Sequence, residues 1–314
     1  SSAASDVYKR QIISNRKTKS LVEKTAAIIF RGCAVMSIIA VVSITGYMII
    51  SGTPAIFKVG ILDILFGTVW APTAADPQFG ILLIILTSII GVFLAICIGV
   101  PIGLFTAINL AELANPKVRK IVKSAIELLA GIPSVVYGLL GILIICPFMY
   151  RLELLIFAGS KTHQFTGGAN LISAILVLAI MILPTLINIT ETALKAVPDD
   201  YRKSSLALGA SQMQTIFKVV LPSAKSGIVS AIVLGVGRAI GEAMAILLVA
   251  GNSVNLPLPF NSVRFLTTGI VSEMGYASGT HRQVLFTIGL VLFVFIIIIN
   301  LILTFIIKRG DQHE

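Results

Sequence analysis

An arginine and a glutamate stand four residues apart inside a long apolar run, where either charge is costly without a partner. Arg238 presents a planar, forked set of donors that suits the oxygens of an oxyanion. Glu242 can hold Arg238 while no anion is bound, or accept a proton from a protonated oxyanion. At helical spacing the two side chains are predicted to lie on one face of a helix. Arg238 and Glu242 are therefore the candidates for lining a substrate pathway.

The depth of Arg238 in this run supports a functional role. The run covers residues 223–250, and Arg238 lies about 15 residues from its start, which is ~22 Å at the rise of an α-helix. The structural alternative is a buried ion pair that fixes helix packing. Such pairs stabilise a fold poorly compared with apolar residues of similar size, so we favour a role in handling an anion.

The composition indicates what kind of element carries these charges. Of 314 residues, 56% are hydrophobic and only 12% are charged, whereas soluble domains carry about a quarter charged residues. Several apolar runs exceed the ~20 residues that cross a bilayer as a helix. The chain is predicted to be an all-α polytopic membrane protein, and a soluble enzyme is excluded. The net charge of +10 comes from short segments without aromatic interleaving, which argues against binding of nucleic acid.

Six apolar runs can be read from the sequence. They cover residues 25–50, 80–110, 122–150, 170–190, 223–250 and 283–307. Flanking Lys and Arg residues number 17 on one side of the predicted membrane and five on the other, and the five are Lys58, Arg151, Lys161, Arg264 and Arg282. Basic loops stay in the cytoplasm. Both termini are therefore predicted to be cytoplasmic, which agrees with an even number of spans.

The segment between the fourth and fifth runs has a pattern of its own. Residues 197–200, Val-Pro-Asp-Asp, form a helix-start signal. Apolar residues then recur at roughly helical spacing, and Leu221-Pro222 ends the pattern. We predict two short amphipathic helices that join near Gly209, outside the bilayer. A membrane-surface helix is the alternative interpretation.

Other kinds of chemistry have little support in the sequence. Cys33, Cys97 and Cys146 each lie alone in an apolar run without metal-ligand spacing, and are predicted to be buried small apolar residues. The sequence has no phosphate-cradling GxxxxGK loop, so any ATP must be hydrolysed by another chain. We predict no cofactor, no metal and no catalytic residues on this chain.

The stretch 202–222 resembles the cytoplasmic EAA loop of ABC importer permeases. That family has Glu-Ala-Ala, three residues, Gly, nine residues, an aliphatic residue, any residue and Leu-Pro; here Gly209, Val219 and Leu221-Pro222 fit the spacing. Lys203-Ser204-Ser205 stands in place of Glu-Ala-Ala, which puts a positive charge at the acidic position. The resemblance implies short helices that dock into a groove on an ATPase subunit. The residues that it assigns to this coupling are Lys203, Ser205, Leu208, Gly209, Ala210, Leu221 and Pro222.

Two further stretches resemble phosphate-transporter permeases, and the second is more similar to PstC subunits than to their partner PstA. They are 126–138, Ile-Glu-Leu-Leu-Ala-Gly-Ile-Pro-Ser-Val-Val-Tyr-Gly, and 237–244, Gly-Arg-Ala-Ile-Gly-Glu-Ala-Met. The resemblance covers roughly residues 25–310. It implies the type I ABC importer permease fold, a PstA-like second permease subunit, a PstB-like ATPase dimer and a PstS-like phosphate-binding protein. It also implies a role for Arg238 and Glu242 in the passage of phosphate.

The domain boundaries follow from these patterns. Residues 1–24 are expected to form a cytoplasmic tail, whose first ~11 residues lack an initiating Met and match nothing that follows. Residues 25–310 are expected to form the transmembrane permease domain, with a cytoplasmic coupling loop at 191–222.

The resemblance and the patterns together predict a membrane channel subunit of an ATP-driven phosphate importer in a bacterial or archaeal plasma membrane. The alternatives are a permease for molybdate or sulfate, a secondary transporter that relays protons or ions through the Arg–Glu pair, and a membrane sensor or scaffold that transports nothing.

Overall fold

The protein is almost entirely helical in the computed structural model, which describes the backbone of residues 2–160 and 162–311 and the side chains of residues 23–160, 162–302 and 305. Lys161, one of the five basic residues above, lies outside this part. The helices are α1 (Ser2–Val59), α2 (Ile61–Phe66), α3 (Leu82–Ile108), α4 (Pro116–Gly131), α5 (Ser134–Leu140), α6 (Cys146–Ile156), α7 (Leu171–Ala196), α8 (Asp199–Ala207), α9 (Gln212–Thr215), α10 (Leu221–Ser223), α11 (Lys225–Gly241), α12 (Met244–Val249), α13 (Leu266–Glu273) and α14 (Gly279–Asp311). Short π-helical turns cover Asn109–Leu113, Gly141–Ile145 and Ile216–Val220. Strands β1 (Trp70–Ala71) and β2 (Gln78–Phe79) pair antiparallel, with Trp70 opposite Phe79.

Five helical stretches of the described chain are long and apolar enough to cross a membrane, and a bent pair of helices supplies a sixth. The five are Glu23–Val59, Leu82–Leu113, Ser134–Ile156, Leu171–Ala196 and Gly279–Ile302; the bent pair is Gln212–Ser223 with Lys225–Gly241, at an angle of 69°. The predicted all-α polytopic fold is confirmed, and the count of spans agrees with six when the bent pair is taken as one.

The predicted position of the third span, at 122–150, is wrong. The span is Ser134–Ile156, and the amphipathic helix α4 precedes it as a separate element. Ile132, between the two, is extended at φ −71° and ψ 128°, because the ring of Pro133 disfavours the helical conformation in the residue before it. The proline therefore ends α4, although the apolar residues continue without a gap.

The predicted fifth run is not one continuous helix. α11 ends at Gly241, Glu242 and Ala243 are not helical, and α12 begins at Met244. Glu242 has φ −72° and ψ 131°, which is extended backbone. The prediction of one helix across 223–250 is therefore wrong, and the break falls on one of the two charged candidate residues.

Residues 1–51 form a unit of their own, and its described part consists of helix α1. Many of its apolar side chains are exposed: Ile28 is 69% exposed, Phe30 72% and Ile50 75%. A surface of this kind is a liability in water. In lipid it carries no such cost, because the surrounding tails are as apolar as the side chains.

The second unit, residues 52–314, is organised around the packing of α7 against α3 and α11. Gly99 of α3 faces Ile182 of α7, and a Cβ at Gly99 would lie 2.8 Å from Ile182 Cδ1. A larger residue would push the two helices apart. Gly235 of α11 likewise faces Leu186 of α7, where a Cβ would meet the leucine Cδ2 at 3.1 Å. These close approaches fix α7 and α11, the two helices that carry the candidate site.

The three cysteines are free thiols. Cys146 is buried, as predicted, whereas Cys33 and Cys97 are exposed. The prediction of burial is wrong for those two because both lie on the outer surfaces of helices that are apolar enough to cross a membrane. An apolar run shows that a helix is surrounded by apolar groups, but not whether lipid or protein supplies them.

Candidate functional site

Arg238 lies in the last turn of α11, where it is half-buried and faces α7. Its guanidinium Nη1 donates a hydrogen bond to Thr185 Oγ1 of α7, over 3.2 Å. The close contact between Gly235 and Leu186 brings the two helices near enough for this bond. A neutral hydroxyl is thus the partner of a charged group that lies deep in an apolar element.

Glu242 is held at both its side chain and its backbone. Its Oε1 accepts a hydrogen bond from the backbone N–H of Ala245, over 2.9 Å, so the carboxylate satisfies a free donor at the start of α12. Its carbonyl oxygen accepts from Thr267 Oγ1 of α13, over 2.6 Å. Because Glu242 follows the end of α11, the prediction that it shares a helix face with Arg238 is wrong. The turn at Glu242, not a helix face, places its carboxylate.

Arg238 and Glu242 are not paired with each other. Within the part of the chain that the structure describes, neither side chain has an opposite charge within 4.0 Å. The proposed holding of Arg238 by Glu242 is therefore not seen in this conformation. The guanidinium keeps its other N–H donors free, and Glu242 keeps Oε2 as a free acceptor, among the described residues. A charge left in this state in a low-dielectric region is costly, and a bound ligand is one way to offset the cost.

The site lies at a break after α11 and beside a proline within the continuous helix α7. Pro184 interrupts the backbone hydrogen bonding of α7 immediately before Thr185. The α11–α12 break lies at Glu242 and Ala243. In membrane transporters, discontinuous helices mark binding sites because they free backbone and side-chain groups for a ligand. The irregular backbone thus agrees with the free charges in pointing to this region.

Thr185 and Thr267 are not predicted from the sequence. A threonine in an apolar run normally donates to the carbonyl one turn earlier in its own helix, so its presence alone carries no signal. The position of Thr185 directly after Pro184 is the one hint that the sequence contains. Thr267 offers no such hint, because its role depends on the three-dimensional position of α13.

Helix α13 is anchored at its far end by a buried carboxylate. Glu273 accepts hydrogen bonds from Trp70 Nε1 at 3.1 Å and from Arg264 Nη1. His281 Nε2 lies 2.7 Å from the second carboxylate oxygen. These three neighbours, an indole, a guanidinium and an imidazole, hold the Glu273 side chain, which is only 4% exposed. The helix that holds the Glu242 turn through Thr267 is therefore itself fixed in place.

Two short helices, α8 and α9, flank Gly209, as predicted. Gly209 has φ +87°, a conformation that glycine adopts at little cost. Ser211 and Gln214 form a capping box that starts α9. The Ser205 and Thr215 hydroxyls lie 2.9 Å apart and join the two helices. The loop is therefore a compact folded unit rather than a bland linker.

The loop presents an apolar side chain at its tip. Leu208 is 89% exposed, next to Gly209. Lys203 is also exposed, and its ammonium lies 3.9 Å from Asp200. The other residues assigned to coupling are Ser205, Ala210 and Leu221, which are half-buried, and Pro222, which is exposed. The exposed Leu208 and Lys203 are thus available to a partner that would cover the loop.

Arg202 ties this loop to the rest of the fold. Its Nη2 donates to Glu112 Oε1, over 2.7 Å, and to the Leu194 carbonyl, over 2.8 Å. Its Nη1 donates to the Val197 carbonyl, over 2.7 Å. The bond with Glu112 raises the pKa of Arg202, so the charge persists at any physiological pH. Arg202 therefore joins the loop to the π-helical turn after α3, where Glu112 lies, and to the last turn of α7, where Leu194 lies.

Residues 99–312 match the family described as the binding-protein-dependent transport system inner membrane component. The chain belongs to this family. Among similar proteins, the probable ABC transporter permease protein YqgH of Bacillus subtilis (strain 168) is 36% identical over 304 residues, 95% of each chain. The phosphate transport system permease protein PstC of Pasteurella multocida (strain Pm70) is 36% identical over 255 residues, which covers 78% of this chain and 79% of the relative.

Solved structures of ABC transporters share the fold. One is a bacterial alginate ABC transporter in complex with an alginate pentasaccharide-bound periplasmic protein, with a TM-score of 0.64 at 15% identity, covering 90% of this chain and 94% of that chain. Another is the inward facing MetNI methionine ABC transporter, with a TM-score of 0.50 at 21% identity, covering 72% of this chain and 91% of that chain. These likenesses confirm the predicted type I ABC importer permease fold.

Membership of the family places the chain in the plasma membrane as a multi-pass permease subunit of an ABC importer. In such an importer, ATP is hydrolysed by a separate subunit and a binding protein delivers the substrate. The permease is thus a membrane component and not an enzyme.

Proposed function

We propose that this permease carries phosphate, and that Arg238 and Glu242 contact the ion as it passes. The observation that carries the proposal is that each charge is held by a neutral partner and keeps free hydrogen-bonding capacity. The guanidinium supplies donors to phosphate oxygens. Glu242 Oε2 supplies an acceptor, which suits the P–OH of a protonated phosphate and repels a fully ionised anion.

The relatives support phosphate over other oxyanions. Five PstC proteins that are at least 32% identical to this chain are named as phosphate transport permeases. Sulfate and molybdate carry no proton near neutral pH, so neither can donate to Glu242. A site with one forked donor and one carboxylate acceptor therefore favours phosphate on chemical grounds.

The partners follow from the same proposal. A PstA-like permease completes the channel, a PstB-like ATPase dimer binds the loop around Gly209, and a PstS-like protein delivers phosphate. Both termini and the Gly209 loop lie in the cytoplasm.

Movement of the loop reaches Arg238 along a short path, because α10 and α11 follow the loop directly and meet at the 69° bend. No cofactor is required on this chain.

The test is uptake of radiolabelled phosphate into proteoliposomes that hold the permease with its partners, with and without ATP on the ATPase side. We expect uptake that depends on ATP and that excess sulfate does not inhibit. Uptake without ATP would favour a secondary transporter. ATP-dependent uptake that sulfate or molybdate inhibits would favour another oxyanion. An intact complex that carries no oxyanion would favour a sensor or scaffold.

Glu242→Gln is expected to lower phosphate uptake about tenfold or more. The glutamine oxygen can still accept from Ala245 N–H, but an amide donor replaces the free Oε2 acceptor, so a protonated phosphate loses its partner. Uptake at saturating phosphate is the measurement. Glu127→Gln, at an exposed carboxylate of α4, is the matched control and should leave uptake normal. Equal uptake by the two variants would remove Glu242 from the pathway.

Lys203→Glu is expected to weaken assembly with the ATPase several-fold. Lys203 is exposed beside the Gly209 loop, so its charge is free to pair with an acidic residue in the ATPase groove, and reversal replaces attraction with repulsion. The amount of ATPase that co-purifies with the permease at low salt is the measurement. Lys120→Glu, at an exposed lysine of α4, is the control. Unchanged co-purification of the Lys203 variant would refute the pairing.

A further inference from the structure

The hydroxyl group of Thr185 differs from most hydroxyls in the transmembrane helices. In these helices a Ser or Thr hydroxyl usually donates to the carbonyl one turn earlier. Such bonds are made by Ser88 to Ile84 at 2.9 Å, Thr106 to Ile102 at 2.7 Å and Thr192 to Asn188 at 2.8 Å. Thr185 Oγ1 instead accepts a bond from Arg238, and no bond donated by Thr185 is found among the described residues.

A hydroxyl that accepts from a guanidinium keeps its own proton. The O–H of Thr185 is thus a free donor 3.2 Å from a cationic donor, Arg238 Nη1. Both side chains are half-buried, so both are accessible to a small ion. The Thr185 O–H and the remaining guanidinium N–H groups of Arg238 are therefore adjacent free donors among the described residues. This arrangement suits an oxyanion, whose oxygens each accept more than one hydrogen bond.

Tyr137 carries another hydroxyl on the Arg238 side of the fold, and that hydroxyl is already occupied. Tyr137 lies within the electrostatic range of Arg238, but its hydroxyl donates to the Leu129 carbonyl over 2.7 Å. That bond joins α5 to α4 across the break at Pro133 and gives Tyr137 a structural role. Thr185 is therefore the hydroxyl of the described site whose proton is available to a ligand.

We propose that Thr185 is a second hydrogen-bond donor to the transported oxyanion, alongside Arg238. The proposal rests on the proposed function, because it gives the same ion a further contact. Arg238 Nη2 and Thr185 Oγ1 then bind oxygens on one side of the ion, while Glu242 Oε2 accepts from its P–OH. Thr185 on α7, Arg238 on α11 and Glu242 in the break after α11 then form a site that recognises both the charge and the protonation of phosphate.

Uptake by Thr185 variants is the first test. Thr185→Val keeps the shape of the side chain and removes the hydroxyl, so it should lower the maximal rate of phosphate uptake about tenfold or more. The KM should change little, because the binding protein captures the ion before this step. Thr185→Ser keeps the donor and should restore most of the rate. Thr106→Val is the matched control, since its hydroxyl is satisfied by its own helix.

A thiol-protection test separates direct contact from mere orientation of Arg238. Thr185→Cys is made in a chain whose Cys33, Cys97 and Cys146 are replaced by Ala, and the rate of reaction with a small thiol reagent is measured in the complex with ATP. Phosphate that passes this position should slow the reaction. Loss of uptake in Thr185→Val without phosphate protection of the thiol would mean that Thr185 only orients Arg238, and would overturn the proposal.

The remaining outcomes are also decisive. Normal uptake by Thr185→Val overturns the proposal, and so does a failure of Thr185→Ser to restore the rate. Wild-type complex is measured in parallel. A wild-type complex that imports no phosphate rejects the proposed function itself, whereas normal wild-type import with unaffected Thr185 variants rejects only the role of Thr185.

Discussion

Arg238→Gln is expected to abolish ATP-driven phosphate uptake while the complex still assembles. Removing a charged hydrogen-bond donor from a desolvated site costs about 2–5 kcal/mol, which is roughly thirtyfold to a few thousandfold in rate if the loss falls on the transport step. Assembly should persist because no carboxylate lies within 4.0 Å of Arg238 in the described structure. The substitution therefore leaves no buried negative charge without a partner, which is the usual cause of severe destabilisation.

Two measurements are needed for this variant. Uptake of labelled phosphate reports the transport step, and the yield of intact complex after solubilisation reports assembly. Arg282→Gln, at an exposed arginine outside the candidate site, is the matched control and should behave as wild type. Normal uptake by the Arg238 variant would exclude Arg238 from the mechanism, and a lost complex would indicate a structural role for its charge.

Gly209→Asp is expected to uncouple ATP hydrolysis from uptake. Gly209 adopts φ +87°, which costs a residue with a side chain about 1–2 kcal/mol. A Cβ at this position meets no atom within 4 Å in the chain, so the change acts on the loop backbone and on whatever binds the loop. It also puts a negative charge beside exposed Leu208. We expect uptake to fall at least tenfold while the ATPase keeps its basal hydrolysis.

The matched control for this change is Gly167→Asp. Gly167 also has a positive φ, +66°, and its Cβ would also point into open space. It lies in the segment between α6 and α7 rather than in the Gly209 loop. The control carries a similar backbone strain without touching the proposed coupling surface. Equal loss of uptake in both variants would assign the effect to strain, and unaltered coupling in the Gly209 variant would argue against docking there.

The sequence predicts the number and nature of the spans well, because hydrophobicity records which segments avoid water. It predicts their ends poorly where apolar residues continue through a break. Pro133 ends α4 within such a stretch, and the stretch around Glu242 breaks between α11 and α12 without any proline. At this break the Glu242 carboxylate accepts from Ala245 N–H, a contact that a helical pattern does not reveal.

The residues of the candidate site also differ in whether the sequence alone predicts them. Arg238 and Glu242 are found from sequence because charges are rare in apolar runs. Thr185 and Thr267 are not found, because each acts through a bond to a residue that is distant along the chain. Thr185 bonds Arg238, 53 residues away, and Thr267 bonds Glu242, 25 residues away. The two helices around Gly209 are predicted because their start, periodicity and stop signals are local. Their attachment through Arg202 and Glu112, 90 residues apart, is not local and is seen only in the structure.

The exposure of Leu208 bears on how cells handle this permease before it meets its partners. Leu208 is 89% exposed, and Leu206 and Met213 are about half exposed on the same folded loop. Together these apolar side chains outside the apolar spans form a hydrophobic mark that water-soluble quality-control factors can read. The docking of an ATPase that we propose for this loop would hide that mark. A copy made in excess of its partners would keep the mark and be recognised as an orphan subunit, so the same side chain would serve transport in the assembled complex and degradation outside it. On the proposed docking, this one loop would make balanced synthesis of the subunits necessary.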